Sequence, residues 1–466
     1  MTFTPAQLSG YLPAISPNSS AKPVWWVALS GGLDSTVLLH ALSALALPVR
    51  LNSVHVNHQI SPNADTWQAQ CAELCEDLGV AFYAHKVSVK NGGKGIEDAA
   101  REARYGVFLQ QVGAGDVLLT GHHADDQSET LLLRLMRGTG PRGLAAMAAS
   151  RALGEAQLQR PLLHFTRAEL EAYALSHGLR WVEDESNNSD AYDRNYLRNQ
   201  VMPLLQTRWP DFQQRWQQTA SLCADNEQLL EELAAQDLAA AEPRTEKIGA
   251  SLDLSFLLGL SAARRQNLVR FWLRIQGMTT PEQSHWQQLQ QQFFSDVRVD
   301  ASPDIRWGNV SLRSFRQRFY ALPLAQLAAI DISQKWHWDL SAGLFSTSAT
   351  SVDLGAEGID LGAAGTLIAE SCFAESLQQG QGLLRATTSP LEIRFRQGGE
   401  RSQPARRAHS QTLKKLLQEY EVEPWLRDRL PLVFCADQLV AVADLWVAAG
   451  YSVQPGELGI KLCWLP

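Results

Sequence analysis

The sequence predicts an α/β amino-terminal domain built on a parallel sheet, then a helical central domain and a small α+β carboxy-terminal domain. Three observations predict it. The first 125 or so residues alternate apolar runs with helical patterns; from Trp209 the pattern is helical and glutamine-rich; from about Asp331 short runs are split by Gly, Ser and Asp. These textures place the boundaries at 1–210, 211–335 and 336–466.

The elements follow in order. Apolar runs at Val24–Ser30, Val49–Asn57, Val80–Val89 and Asp116–His122 read as strands buried on both faces. Helical patterns at Ser35–Ala46, Ala64–Leu78 and Ile96–Val112 separate them, and Asp125–Arg137 adds another. Such alternation implies a parallel sheet covered by helices. In these sheets ligands bind beyond the carboxyl ends of the strands. The stretches there are "SGGLDS", "HVNHQ" and "GHHADDQ". Further on, "LGAEGIDLGAAGTL" reads as two turns of a small β unit.

Composition sets limits. The chain has 466 residues, 45% of them hydrophobic and 19% charged, enough for more than one core. Its net charge of -8 excludes a protein coated in positive charge but permits a local basic face. Six cysteines occur without a CxxC, which argues against a zinc ribbon or a thioredoxin-type pair. Cys71 and Cys75, four apart, read as two small buried residues on one helix face. There is no basic and apolar leader and no run of bilayer length, so the expectation is a soluble cytosolic protein without a membrane partner.

Ser30, Gly31, Gly32, Leu33, Asp34 and Ser35 lie where a strand ends and a helix begins. Adjacent glycines let backbone N–H groups converge on a phosphate, and the helix amino terminus adds its own. Asp34 would repel that phosphate unless a cation lies between them, which points to Mg²⁺. A second cluster, His122, His123, Asp125, Asp126 and Glu129, stands at a strand end entering a helix. Asp125 and Glu129 are four apart on one face. Crowded acids need a cation: either a metal held with His, or a cationic substrate.

Basic segments stand out in this acidic chain. Arg134 to Arg167 holds six arginines and one acid, Glu155, a local +5. Arg394 to Lys415 holds five arginines and two lysines against Glu400, a local +6. Both are candidate RNA-backbone contacts, at Arg137, Arg142, Arg401, Arg406, Arg407, Lys414 and Lys415. Arg194 and Arg198 share a helix face and suit RNA or ATP phosphates. Arg104 is a candidate ATP contact.

"SGGLDST" resembles the PP-loop of the ATP-pyrophosphatase class. "HVNHQI", "EDAAREARYGVF", "GHHADDQSETLLLRLMRGTGPRGL", "RPLLHFTRAEL", "WVEDESNNSDAYDRNYLRNQVMPLL" and "LKKLLQEYEVEPWLRDRLPLVF" resemble the tRNA(Ile)-lysidine synthase family. The resemblance is weakest over 211–385. It implies a PP-loop, HUP-like first domain and a cytoplasmic ligase using ATP and Mg²⁺. Its partners would be lysine and the isoleucine tRNA with a CAU anticodon, whose wobble cytidine is adenylated and then joined to lysine. The oligomeric state is left open, a homodimer included. It implies pyrophosphate on Ser30–Ser35, a metal on Asp34, and lysine or Mg²⁺ on Asp125, Asp126 and Glu129, with His123 the candidate general base. Two departures stand against it: Glu185 replaces the family's usual proline, and "PARRAHSQTLKK" is poor in glycine. The competing readings are another PP-loop tRNA-modifying enzyme, such as a thiolase, and a non-catalytic nucleotide-dependent RNA-binding module.

Overall fold

The structure is a computed structural model describing residues 3–15, 22–89, 95–183, 190, 192–295, 303–340, 347–348, 351–352, 356–373, 382–387, 389–405, 407–454 and 457–466. The chain forms two compact units, Met1–Leu229 and Leu230–Pro466.

The first unit is built on β1 (Val24–Ala28), β2 (Arg50–Asn57), β3 (Ala81–Lys86), β4 (Val117–Leu119), β5 (Ser150–Leu153) and β6 (Ala156–Gln159). Their order in the sheet is β3-β2-β1-β4-β6-β5. All neighbours run parallel except β5, which forms a hairpin with β6. The helices are α1 (Pro5–Leu8), α2 (Leu33–Ala44), α3 (Ala64–Asp77), α4 (Ile96–Gln111), α5 (Ala124–Met136), α6 (Pro141–Leu144), α7 (Arg167–Ser176), α8 (Asp193–Tyr196), α9 (Met202–Arg208) and α10 (Phe212–Ala240).

The apolar runs are two-sided because the sheet has a core on each face. Trp25 and Val27 of β1 pack with Val37, Leu38, Leu119, Leu170 and Tyr173. Trp26 between them packs with Val54, Phe108, Leu118 and Leu158 on the other face. This is the two-residue strand period. Burying each such aliphatic side chain contributes about 1.5–3 kcal/mol. Cys71 and Cys75 are buried free thiols in the first core, as expected. Burial, with the neighbouring Cys75, pushes the Cys71 thiol up to about 12.

From β1 the chain builds outward through β2 to β3, then returns through α4 to place β4 on the opposite side of β1. The direction of winding therefore reverses between β1 and β4. That is the switch point at which doubly wound sheets bind ligands. The β5–β6 hairpin is absent from the sequence reading, and β4 is shorter than the apolar run Asp116–His122. After Leu119 the chain leaves the sheet, with the Thr120 N–H held by the Gln159 carbonyl (3.0 Å).

In the second unit a five-stranded antiparallel sheet spans Arg244 to Pro323, accompanied by helices Leu254–Gly259, Ala262–Ile275 and Gln283–Phe293. Helices dominate this central part as expected, and the sheet is an addition. Beyond it stand another five-stranded sheet, a three-stranded one and the helix Leu413–Glu419. In "LGAEGIDLGAAGTL", read as two turns of a small β unit, Ala356–Asp360 pairs antiparallel with Thr366–Phe373. Trp464, Phe395, Ile393 and Leu416 lie in the core here. No helix among the described residues is long and apolar enough to cross a membrane.

Candidate active site

The two loops at the switch point touch. Gly31 sits at φ +89°, open to glycine, and a Cβ there would lie 3.0 Å from Cys71 Sγ. Its carbonyl accepts from the Val182 N–H (2.9 Å). Gly32 caps α2, and the Ser35 hydroxyl donates to the Gly32 carbonyl (3.1 Å) and receives the Ser30 N–H (3.2 Å). Leu33 is buried beneath the loop. From the other side comes Gly121, after β4. A Cβ on Gly121 would lie 3.0 Å from both Asp34 C and Ser35 N. Only a residue without a side chain lets the two loops meet so closely.

Asp34 opens α2 and faces this junction. Its Oδ2 lies 3.6 Å from His123 Nε2 and 3.6 Å from Arg167 Nη1. Its Oδ1 is buried and has no hydrogen-bond partner among the described residues. Burial pushes the carboxyl up, against the pull of His123 and Arg167. An orphaned, partly desolvated carboxylate oxygen fits a hard cation. No three His, Cys, Asp or Glu side chains among the described residues are grouped to hold a metal. Mg²⁺ is normally held by one or two carboxylates plus substrate phosphates and waters. Asp34 fits that pattern.

His123 is the hub of the acidic cluster. It caps α5 and is 1% exposed. Asp34, Asp125 and Asp126 surround its ring at 3.6, 3.4 and 3.5 Å. Burial opposes the charged form, but Asp126, Asp125 and Asp34 together hold it up to about 9. The Asp125 N–H also points at Nδ1 (3.2 Å). Three carboxylates thus favour the protonated form of a ring that also accepts the Asp125 N–H as the cap of α5. The candidate general base stands within reach of Asp34, the acid that opens α2.

The acids divide by partner. Asp125 accepts the Arg167 N–H (2.8 Å) and Gln213 Nε2 (2.8 Å). Asp126 lies 3.1 Å from Arg198 Nη2 and 3.5 Å from Arg194 Nη2. Burial would raise its carboxyl, but His123 and Arg194 hold it at about 2. Glu129 is fully buried, receiving Arg194 Nε (2.8 Å) on one oxygen and Arg198 Nε (2.7 Å) on the other. The cation demanded by Glu129 is therefore internal, which corrects its assignment to substrate lysine. Arg194 and Arg198 share a face as expected, and a π-turn at Leu197–Val201 lies where the second one projects. They are committed to carboxylates, not free for RNA.

Arg104, on α4, lies near His58 at the end of β2. Burial, then Arg104, holds that imidazole down at about 4. Arg137 and Arg142 are exposed around the α5–α6 turn. The turn is pinned by Arg134 Nη1, which donates to the Gly143 (2.9 Å) and Ala146 (2.6 Å) carbonyls. In the second unit Arg401, Lys414 and Lys415 are exposed, and Arg407 pairs with Glu419. Arg406 and Glu185 lie outside the described residues.

Sequence reasoning missed Arg167 and Gln213. Thr166 and Glu169 form a capping box, readable as T-x-x-E, and that signal would have placed Arg167 in the first turn of a helix. Gln213 carries no local signal.

The chain is 36% identical to the tRNA(Ile)-lysidine synthase of Coxiella burnetii, across 98% of this chain and 96% of that protein. It is 40% identical to the one of Serratia proteamaculans, across 94% of each. It belongs to the tRNA(Ile)-lysidine synthase family. The relative from Pseudomonas fluorescens is 41% identical, across 95% of this chain and 93% of that protein. Residues 11–205 match the PP-loop domain, 252–320 the TilS substrate binding domain and 391–464 the TilS substrate C-terminal domain. As a lysidine-synthase PP-loop domain, 11–205 contains every residue of the Asp34–His123–Arg198 cluster except Gln213.

Proposed function

We infer that this chain is an ATP-dependent ligase that joins lysine to the wobble cytidine of the CAU-anticodon isoleucine tRNA. The observation that carries this reading is 36% and 40% identity to lysidine synthases over nearly the full length of the chain. The contact of the glycine loop with the acidic loop at one sheet switch point supports it.

The backbone of Ser30–Ser35 holds the pyrophosphate portion of ATP. The cytidine carbonyl oxygen displaces pyrophosphate at the α-phosphorus, and the lysine amine then displaces AMP, which leaves with that oxygen. Asp34 would hold Mg²⁺, which would supply charge neutralisation on the phosphates. Arg167 and protonated His123 place two further positive charges beside Asp34, where negative charge grows on the α-phosphate oxygens. Asp125 faces the lysine ammonium, while Asp126, which already meets Arg194, Arg198 and His123, holds the arginines beside it. Glu129 is a positioning residue, acting through Arg194 and Arg198. Residues 1–210 carry the chemistry, and 211–335 and 336–466 grip the tRNA in the cytoplasm, with Arg137, Arg142, Arg401, Arg407, Lys414 and Lys415 on its backbone.

The test mixes protein, ATP, Mg²⁺, labelled lysine and the tRNA transcript, and reads label in RNA with AMP release. The expected result is label at the wobble cytidine, lost in Asp34→Ala and absent with the CAU methionine tRNA. AMP release without label would redirect the search to another nucleophile. No AMP release with any tRNA would leave a binding module.

A further inference from the structure

We propose that the cleft between α4 and the β5–β6 hairpin binds a backbone phosphate of the RNA substrate; the proposal rests on the tRNA-modifying reading above. The cleft encloses about 650 Å³, and Asp98, Arg101, Glu102, Tyr105 and Arg151 are among its lining residues. None of them has a role in the site around Asp34.

Its basic side chains gather on one aromatic residue, Tyr105, which hydrogen-bonds Arg151 and Arg160. Arg101 and Arg151 are exposed, and each holds its guanidinium 5.0 Å from the centre of the Tyr105 ring. Among the described residues neither forms an ion pair with a carboxylate. Arg160 stands within electrostatic reach of Tyr105, Arg151 and Arg101. It is only 5% exposed; its Nη1 donates to the Ala148 carbonyl (2.6 Å), and its Nε is buried without a hydrogen-bond partner among the described residues. Arg101, Arg151 and Arg160 converge on Tyr105. Burial would raise the Tyr105 phenol, yet Arg151, Arg101 and Arg160 together bring it below its ordinary value.

Two acids share the cleft, and they choose among phosphate ligands. Asp98 and Glu102 would repel a triphosphate. A ribonucleotide brings one negative charge per phosphodiester, together with 2′-hydroxyl and base amino donors that carboxylates accept. The cleft also neighbours the reaction centre: Arg101 and Arg160 both bear on His122, in the loop that reaches Asp34. RNA held here would be anchored beside the reacting base.

The experiment measures binding of the CAU isoleucine tRNA transcript to the full chain across a KCl series, with ATP binding in parallel. Arg151→Ala and Arg101→Ala lie on exposed positions. Each is expected to weaken tRNA binding about five- to tenfold and to make the salt dependence shallower by roughly one unit of log–log slope. ATP affinity stays unchanged. Arg151→Lys keeps the charge and recovers the slope. Wild-type protein that binds tRNA while both alanine variants match its affinity and slope overturns the cleft alone. Loss confined to ATP affinity also overturns it, assigning the cleft to nucleotide phosphates. Wild-type protein that binds no tRNA overturns the functional reading, and the cleft's role with it.

Discussion

Glu129 receives two arginines 65 and 69 positions away in sequence, and its side chain is 1% exposed. Glu129→Gln keeps the shape but removes the charge, leaving Arg194 and Arg198 short of a counterion. The expected cost is on the order of 3 kcal/mol, read as a lowered urea midpoint. An unchanged midpoint would show that Asp126 and water suffice. His122 makes a second residue-scale prediction. Burial, reinforced by Arg160, Arg194 and Arg101, holds it at about 4 against the pull of Asp126. In the unfolded chain it titrates near 6.5. Between those values the unfolded chain binds the proton and the fold does not. The stabilising effect of its neutral form is complete above about pH 6.5 and is lost as pH falls towards 4. The urea midpoint should drop between pH 7 and pH 5, and less so in His122→Gln. Equal drops in both proteins would remove His122 from the account.

The element that decides site geometry is the loop after β4. Its Gly121 backbone lies against the first turn of α2, and a Cβ there would contact backbone, which cannot swing aside. Gly121→Ala should push Asp34 and Ser35 away from their partners by a few tenths of an ångström. Such overpacking costs about 1–3 kcal/mol, and the larger effect should fall on kcat for AMP formation. Gly106→Ala on α4 is the control. Nothing lies within 4 Å of the added methyl, and the helix should gain roughly 0.5–1 kcal/mol with activity intact. Comparable losses of activity in both would show that the contact at Gly121 is not special. Elements were legible where periodicity is strong: the runs through Trp25 and Val54 read as two-sided strands because each face of the sheet has its own core. The β5–β6 hairpin was not legible. Its strands have four residues each, too short for a period to stand out, and they pair because β6 adds to the edge of β4.

Across the whole molecule the net charge is -8, yet two segments run strongly basic and expose Arg137, Arg142, Arg151, Arg401, Lys414 and Lys415. Such a charge distribution makes RNA binding salt-sensitive through counterion release. Raising KCl from 50 to 200 mM should raise the KM for tRNA severalfold and leave the KM for ATP nearly unchanged, since the loop proposed to hold its phosphates offers backbone N–H groups. A matching rise in both would locate the salt effect in the nucleotide site.

The sequence by itself determined the sheet and its covering helices, the phosphate loop at a strand end, and the clustering of acids and bases, because local periodicity and motif spacing carry that information. Tertiary structure alone decided which donor meets which acid. Glu129 joins Arg194 and Arg198, Asp125 joins Gln213, and His123 becomes the hub among three aspartates. These pairings close long loops, and loop closure is driven by burial across the whole unit, which no short stretch of sequence encodes.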